Sequence, residues 1–111
     1  MSLPEPFFLD VRPLGPSRVL VAVRGDLDVA TVDALEDALA AQRPEHLDVV
    51  VDFSELAFMD STGISLLIRT QTEAERMGWE FVVRPELQHE VRRLFETMGM
   101  FEYLTFVPAG S

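Results

Sequence analysis

The sequence predicts an α/β fold with a mixed, mostly parallel sheet. Two opening strand candidates are followed by segments whose apolar spacing alternates between helix and strand, in the order β-β-α-β-α-β-α-β. Proline and glycine separate these segments at even intervals. The chain has 111 residues, 48% of them hydrophobic, which suits one packed domain. We therefore expect a single domain over residues 1–111 with about five strands, about three helices and frayed tails at about 1–5 and 108–111.

The first two strands are expected to form a hairpin. Residues 7–11 are a short strand candidate, and residues 18–24 contain the run VLVAV, which is rich in β-branched valine. Pro13, Gly15 and Pro16 supply turn chemistry between them. A hairpin makes the two strands antiparallel, whereas right-handed crossovers make the later strands parallel. The first strand should therefore be antiparallel at one edge of the sheet.

The rest of the chain alternates helices and strands. Helical spacing of apolar residues predicts helices at residues 29–41, 61–77 and 85–99. Asp28 or Thr31 is a suitable N-cap for the first of them, and Gly78 is suitable just after the second. Strands are predicted at residues 47–53, 79–84 and 103–107, with a loop at residues 54–59.

This topology predicts where a binding site would form. Asp28 follows one parallel strand, and Ser61 follows another by a short loop. The carboxyl ends of parallel strands share one edge of the sheet, where the binding sites of open α/β sheets collect. We expect Asp28 and Ser61 to lie near each other at that edge.

The composition excludes several classes of protein. All nine basic residues are arginine, and nineteen acidic residues give a net charge of −10. The lack of lysine removes the phosphate-binding lysine of a Walker loop, a Schiff-base lysine and the lysine that a response-regulator receiver requires. An acidic chain without a basic stretch predicts no nucleic-acid partner. The lack of cysteine excludes disulfides, thiolate catalysis and zinc held by cysteine.

The chain also lacks membrane signals. No cationic N-terminal region is followed by an apolar one, which predicts that there is no secretory signal. The longest unbroken apolar run, residues 19–23, is too short to span a membrane. We therefore expect a cytoplasmic protein with no membrane contact.

The most informative segment is DSTG, residues 60–63. Asp60, Ser61 and Thr62 can each cap a helix, although one such side chain would suffice at the start of the second predicted helix. Gly63 weakens a helix near its start by about 0.5–1 kcal/mol relative to alanine, which suggests that another group approaches closely. An ordinary N-cap remains the simplest structural interpretation, and a binding surface is the functional one.

Apolar side chains beside this segment have two interpretations as well. Phe58 and Met59 lie in the predicted loop, where polar residues are expected, and Leu27 lies between two aspartates. Each of the three either contacts a partner or extends the core beneath the loop. A second apolar group nearer the C-terminus is predicted to pack in the core, and consists of Phe95, Met98, Met100 and Phe101.

Three short motifs lie beside the predicted elements: GDLD at residues 25–28, DFS at residues 52–54 and DSTG at residues 60–63. Together they resemble the motifs of the STAS domain family, and within it those of the single-domain anti-sigma factor antagonists, or anti-anti-sigma factors. Residues 25–28 (GDLD) match the family's Gly-x-Leu-Asp before the first helix. Residues 52–54 (DFS) match its Asp-x-Ser at the end of the central strand, and residues 60–63 match its Asp-Ser-Ser/Thr/Ala-Gly signature. The order and spacing of the motifs, over nearly the whole chain, carry the resemblance.

The resemblance implies a function in transcription regulation. The chain would bind an anti-sigma factor that is also an ATP-dependent serine kinase, and so release a sigma factor. The kinase would phosphorylate Ser61, with Thr62 as the second choice, and a serine/threonine phosphatase would reverse this. ATP would be bound by the kinase, so that this chain needs no cofactor and no metal. The residues expected to contact the partner are Asp28, Leu27, Phe58, Met59, Asp60, Thr62 and Gly63.

Two alternatives belong to other functional classes. Catalysis is disfavoured, because the histidines His46 and His89 are not placed to activate Ser61 and no Gly-x-Ser-x-Gly occurs. Residues 60–63 differ from the Asp-Thr/Ser-Gly of aspartic proteases by one extra residue, and the surrounding order is α/β. The second alternative is a STAS scaffold subunit of a stress-signalling complex or of a lipid ABC transporter. The intact motif at residues 60–63 favours a STAS domain that is regulated by phosphorylation over a scaffold subunit.

Overall fold

The computed structural model describes residues 6–45 and 47–108. Within them the chain forms β1 (Phe8–Pro13), β2 (Arg18–Leu27), α1 (Val32–Ala40), β3 (Asp48–Met59), α2 (Ser61–Met77), β4 (Phe81–Val83), α3 (His89–Thr97) and α4 (Met100–Tyr103). Of the frayed tails predicted at about 1–5 and 108–111, residues 1–5 and 109–111 lie outside the described residues, as does His46.

The strands form one mixed sheet in the order β1-β2-β3-β4. β1 pairs antiparallel with β2, whereas β2 with β3 and β3 with β4 are parallel. The predicted sheet, mostly parallel with the first strand antiparallel at an edge, is confirmed. Its carboxyl-end edge is formed by the ends of β2, β3 and β4.

The core lies on one face of the sheet. Alternate strand residues such as Val21, Val51 and Phe53 are fully buried there against side chains of all four helices. The residues between them point to the opposite face, where Leu20, Val50 and Val82 form a separate small cluster. Period-two alternation therefore assigns each strand residue to the helix-covered face or to its reverse.

The prediction of a loop at residues 54–59 is wrong, because β3 continues through it to Met59. Two register shifts against β2 occur there, between Ala22 and Arg24 and between Gly25 and Asp26. Each inserts an extra residue into β3, so the buried residues Phe53, Leu56 and Met59 recur every third position. These bulges hide the strand, because sequence patterns identify a strand by a period of two.

The prediction of a fifth strand at residues 103–107 is also wrong. The chain forms the short helix α4 after Gly99, whose φ of 71° is left-handed, and only a parallel bridge joins Phe106 to Val83. Phe106, an aromatic residue of the predicted strand, is used in packing instead: its ring stacks on that of Phe101 with centroids 5.2 Å apart. Of the predicted C-terminal core group, Phe95 and Met100 are buried and Met98 is exposed.

The helix boundaries are partly as predicted. α2 covers Ser61–Met77 and ends at Gly78, whose φ of 81° is left-handed, in agreement with the sequence. α1 begins at Val32 rather than at residue 29, and α3 begins at His89 rather than at residue 85. In both cases the chain first leaves the sheet edge in an extended or turn conformation, and the helix starts once it lies over the core.

Candidate functional site

The candidate site begins where β2 and β3 end together. Leu27 and Met59 are the last residues of the two strands to pair. The N–H of Asp60 then donates to the carbonyl of Leu27 at 3.2 Å. The segments that begin with Asp28 and with Asp60 therefore leave the sheet side by side, as the topology predicted.

Asp60 is the N-cap of α2. Its φ of −111° and ψ of −171° are extended, and its Oδ1 accepts a hydrogen bond of 2.9 Å from the N–H of Thr62. The hydroxyl of Thr62 donates to the same oxygen. One carboxylate thus holds both the first turn of the helix and the Thr62 side chain, and Ser61 is not needed as a cap.

Ser61 is the first residue of this helix, and its side chain is exposed. Among residues 6–45 and 47–108, no hydrogen-bond partner engages its hydroxyl. The first turn of a helix carries N–H groups without intrahelical acceptors and the positive end of the helix dipole. A negative group attached at Ser61 would therefore meet a favourable electrostatic environment.

The Asp28 loop is fixed by its own hydrogen bonds. The Asp28 carboxylate accepts from the N–H of Ala30 at 3.0 Å. The Asp28 N–H donates to the Thr31 hydroxyl oxygen at 3.0 Å, and that hydroxyl donates to the carbonyl of Asp26 at 2.8 Å. Thr31 occupies the N-cap position of α1, but its hydroxyl is turned back into the loop and does not cap the helix. The loop therefore presents Asp28 in a defined position next to the start of α2.

Leu27, Met59 and Gly63 form a buried floor beneath this surface. Leu27 is 0% exposed and Met59 is 4% exposed. A Cβ atom on Gly63 would lie 2.6 Å from Cγ of Met59 and 3.1 Å from Cδ2 of Leu27. The close approach suggested by Gly63 is thus made by the protein's own core. The structure therefore buries all three residues beneath the surface, as the core interpretation of Leu27 and Met59 predicts.

Phe58 is placed differently, with 44% of its surface exposed. It borders an open groove of about 290 Å³ together with Met59 and with residues of α3, which are Glu90, Arg93, Leu94 and Thr97. Sequence reasoning missed the contribution of α3, since that helix was interpreted only through its apolar face. The exposed Arg92-Arg93 pair was the available signal.

The Asp52-Phe53-Ser54 motif does not belong to this surface but fixes the first bulge of β3. Asp52 accepts from the N–H of Ser54 at 2.8 Å and from Arg84, which follows β4, at 3.2 Å. Burial would raise the pKa of Asp52, but the hydrogen bonds from Ser54 and Arg84 and the charge of Arg84 outweigh it, so the pKa lies below its usual value. The motif joins β3 to the segment after β4.

The described part of the chain offers neither a metal site nor a membrane-spanning helix. It contains no group of three or more histidine or acidic side chains arranged to hold a metal ion. His89 is exposed at the start of α3. Within the same residues, every helix is too short or too polar to cross a bilayer.

Known proteins share this sequence pattern and this fold. The anti-sigma-B factor antagonist of Staphylococcus aureus (strain NCTC 8325 / PS 47) is 33% identical over 81 residues, which are 72% of this chain and 74% of that protein. An anti-sigma factor antagonist from Mycobacterium paratuberculosis superposes with a TM-score of 0.81 at 24% identity, covering 99% of this chain and 92% of that one. The phosphorylated form of the Bacillus cell fate determinant SpoIIAA superposes with a TM-score of 0.69 at 17% identity, over 92% of this chain and 93% of that one.

The family model described as "Mlab, STAS domain" matches residues 13–107. This match begins at the last residue of β1. It includes the other three strands, all four helices and both loops of the candidate site. The chain therefore belongs to the STAS domain family.

Proposed function

We propose that this protein is an anti-sigma factor antagonist whose binding is switched by phosphorylation of Ser61. In the unphosphorylated form it binds an anti-sigma factor that is also an ATP-dependent serine kinase, and a sigma factor is released in the cytoplasm. The Ser61 oxygen then attacks the γ-phosphorus of ATP on the kinase while its proton passes to a basic group of the kinase or to water. ADP leaves, and the complex separates. A serine/threonine phosphatase restores the first form by hydrolysis. The chain itself has no catalytic role.

The observation that carries this proposal is the exposed Ser61 hydroxyl, which makes no hydrogen bond to any residue that the structure describes. Asp60 performs the capping that a serine at a helix start would ordinarily provide. A kinase can therefore reach Ser61 and modify it without removing a hydrogen bond that holds the helix. The names of the relatives, which are antagonists of anti-sigma factors, support the choice of partner.

Thr62 is the less suitable acceptor. It is half-buried, and both its N–H and its hydroxyl are bonded to Asp60. A phosphate on Thr62 would break the side-chain bond and bring its own charge next to the Asp60 carboxylate. A phosphate on Ser61 would break neither of these hydrogen bonds.

Charge explains why the modification would end binding but not folding. A phosphate adds about −1.5 to −2 charges at neutral pH. At the start of α2 the helix dipole and the N–H groups stabilise it. In an interface, one added like charge at about 5 Å from a carboxylate costs about 3 kcal/mol at an effective dielectric constant near 20. That energy weakens binding by roughly a hundredfold.

The interface is proposed to centre on the exposed part of the site. It would include Asp28, Asp60, Ser61 and Phe58, with Thr62 at its margin. Leu27, Met59 and Gly63 would act only as the floor that holds these residues in place. The groove beside Phe58 would extend the contact to Arg93 of α3.

The test is phosphorylation in vitro followed by localisation of the phosphate by mass spectrometry. The purified protein is incubated with ATP and the candidate kinase, and one phosphate is expected on Ser61. Ser61→Ala should accept none, whereas Ser65→Ala should be labelled like the wild type, because Ser65 is exposed on the same helix beyond its first turn. Labelling of Ser61→Ala would contradict the assignment.

Co-purification separates this proposal from the alternative within the family. Affinity capture of the unphosphorylated protein should recover a small kinase, and Ser61→Asp should recover much less of it. Recovery of a membrane ATPase complex, or of a large stress-signalling assembly, with both forms equally would instead support a scaffold or transporter subunit.

A further inference from the structure

The outer edge of β1 is an unpaired strand edge. Among residues 6–45 and 47–108, β2 is the only strand paired with β1, which lies first in the sheet order. Leu14 donates its N–H to the carbonyl of Arg18 at 2.8 Å, so those two residues form a hydrogen-bonded pair. By alternation along the register, Phe8, Asp10 and Arg12 also bond to β2. Leu9 and Val11 therefore direct their N–H and C=O groups outward, and Pro13 directs its C=O outward.

Exposed apolar side chains are concentrated along the same strand. Phe8 is 54% exposed, and Val11 and Leu14 are each 43% exposed. Phe8 and Leu14 lie on the reverse face of the sheet, and Val11 lies toward the helix-covered face. An unprotected edge that also carries apolar side chains is a template for another strand.

We propose that two copies of this chain associate through their β1 edges, antiparallel and with Val11 opposite Val11. In this register the two Val11 residues exchange their N–H···O=C bonds. Leu9 of each copy donates its N–H to the carbonyl of Pro13 of the other. The carbonyl of Leu9 would accept from the N–H of Pro13 of the other copy, but proline has no N–H. Only the Leu9 carbonyl is therefore left without a donor in this register. The contact is isologous, as in most dimers.

Charge complementarity selects this register. Asp10 and Arg12 form an ion pair within one chain, and both lie on the reverse face of the sheet. With Val11 opposite Val11, Asp10 of each copy faces Arg12 of the other, giving a cluster of four charges that alternate in sign. A shift of two residues in one direction places Asp10 opposite Asp10, and a shift in the other places Arg12 opposite Arg12. Like charges directly opposite are destabilising in a sheet.

The side chains next to these charges are complementary as well. In the same register, Phe8 of each copy lies opposite Leu14 of the other, so exposed apolar surface is covered at both ends of the contact.

The two-fold axis of the dimer is perpendicular to the sheet, so the helices of both copies lie on the same side of it. The two Ser61 sites point to opposite ends of the continuous sheet, because the β2 strands of the two copies run antiparallel. Dimer formation therefore leaves both sites exposed.

The first test uses charge reversal and sedimentation equilibrium of the full chain. A contact of one edge strand is small, so we expect the dimer fraction to rise over roughly 10 µM to 1 mM protein. Arg12→Asp makes all four side chains of the cluster acidic and should raise the dimer Kd at least tenfold. Combining it with Asp10→Arg restores the alternation and should restore the dimer. Arg76→Asp, at an exposed position of α2, makes the same change in net charge and should leave the Kd unchanged.

The second test traps the predicted pair covalently. The chain has no cysteine, so Val11→Cys introduces a single thiol. Directly opposite residues in a hydrogen-bonded antiparallel pair have Cα atoms about 5.5 Å apart, which suits a disulfide. Mild oxidation should cross-link Val11→Cys into a dimer much faster than Met77→Cys, whose site is also exposed but lies on α2.

Circular dichroism spectra confirm that each variant is folded before its association is compared. A protein that stays monomeric at the highest concentration overturns the proposal. So does a dimer that persists equally in Arg12→Asp and Arg76→Asp, or a double variant that fails to restore the dimer. Equal cross-linking of the two cysteine variants also contradicts it.

Discussion

Asp60 accepts two hydrogen bonds from Thr62, one from its N–H and one from its hydroxyl. These bonds decide which of two adjacent hydroxyls is available for chemistry. Thr62 is engaged and half-buried, whereas Ser61 is exposed. The segment DSTG thus divides its tasks: Asp60 starts the helix, Thr62 completes the cap and Ser61 remains accessible.

The cap can be tested by its effect on stability. Asp60→Ala should lower the free energy of unfolding by about 0.5–2 kcal/mol, since the N–H of Thr62 loses its acceptor. Asp60→Asn is the matched control, because asparagine also caps helices but has no charge. It should lower the free energy of unfolding by only about a few tenths of a kcal/mol. Urea unfolding followed by circular dichroism measures both. Equal losses in the two variants would mean that the charge, and not the cap, stabilises the helix.

A charge at Ser61 should separate folding from binding. Ser61→Asp puts a carboxylate at the start of α2, where the dipole favours it by about 0.3–1 kcal/mol, so the melting temperature should change by only a few degrees. Binding to the anti-sigma kinase should weaken strongly, toward the roughly hundredfold expected of a phosphate. Calorimetric titration measures the affinity. Thr72→Asp is the control and should bind like the wild type, because Thr72 is exposed on the same helix about 16 Å further along its axis.

At the scale of elements, the bulges allow β3 both to contribute side chains to the core and to end at the candidate site. The bulges turn the strand so that Phe53, Leu56 and Met59 all reach the core, and its end reaches the site. Asp52 holds the first bulge by accepting from Ser54 and pairs with Arg84 across to the neighbouring segment. Both side chains of that ion pair are largely buried, with 18% of Asp52 and 26% of Arg84 exposed.

The Asp52 contacts predict a pH dependence of stability. Because its pKa is lower in the folded chain than in the unfolded one, its contribution is complete above the unfolded value and is lost as pH falls through the folded value. At neutral pH, Asp52→Asn should be less stable than the wild type by about 1.5–3 kcal/mol. The difference should shrink as pH falls below about 4.

Chemical unfolding at a series of pH values measures this effect. Asp37→Asn, an exposed position of α1, is the control for loss of one negative charge. That variant should keep the acid-induced loss of stability seen in the wild type. A difference between Asp52→Asn and the wild type that is constant over the whole pH range would contradict a role for the ionised carboxylate.

The bulges also mark the limit of prediction for single elements. α2 could be placed from its apolar spacing and its final glycine, because both signals are local. The second half of β3 could not, since a spacing of three arises only from pairing with β2. The strand predicted at residues 103–107 was wrong for a related reason. Tyr103 and Phe106 are of types that favour strands, but only one bridge forms there, at Phe106, and the ring of Phe106 packs against Phe95.

At the scale of the whole molecule, topology determines the location of the site. The alternation of strands and helices, with right-handed crossovers, was sufficient to place Asp28 beside the start of α2. Which neighbours face outward was not predictable. Leu27 and Met59 are apolar residues next to polar motifs, and only the register shows that they point into the core. The groove formed with α3 depends on tertiary packing that a local pattern does not describe.

The division of tasks between Asp60 and Ser61 has a consequence for timing. The cap does not use the Ser61 oxygen, so the proposed phosphorylation would require no refolding step and no slow rearrangement of the scaffold. The duration of a signal would then depend only on the turnover rates of the opposing kinase and phosphatase. The phosphorylated fraction of the protein would then follow the ratio of kinase activity to phosphatase activity, over many cycles of modification.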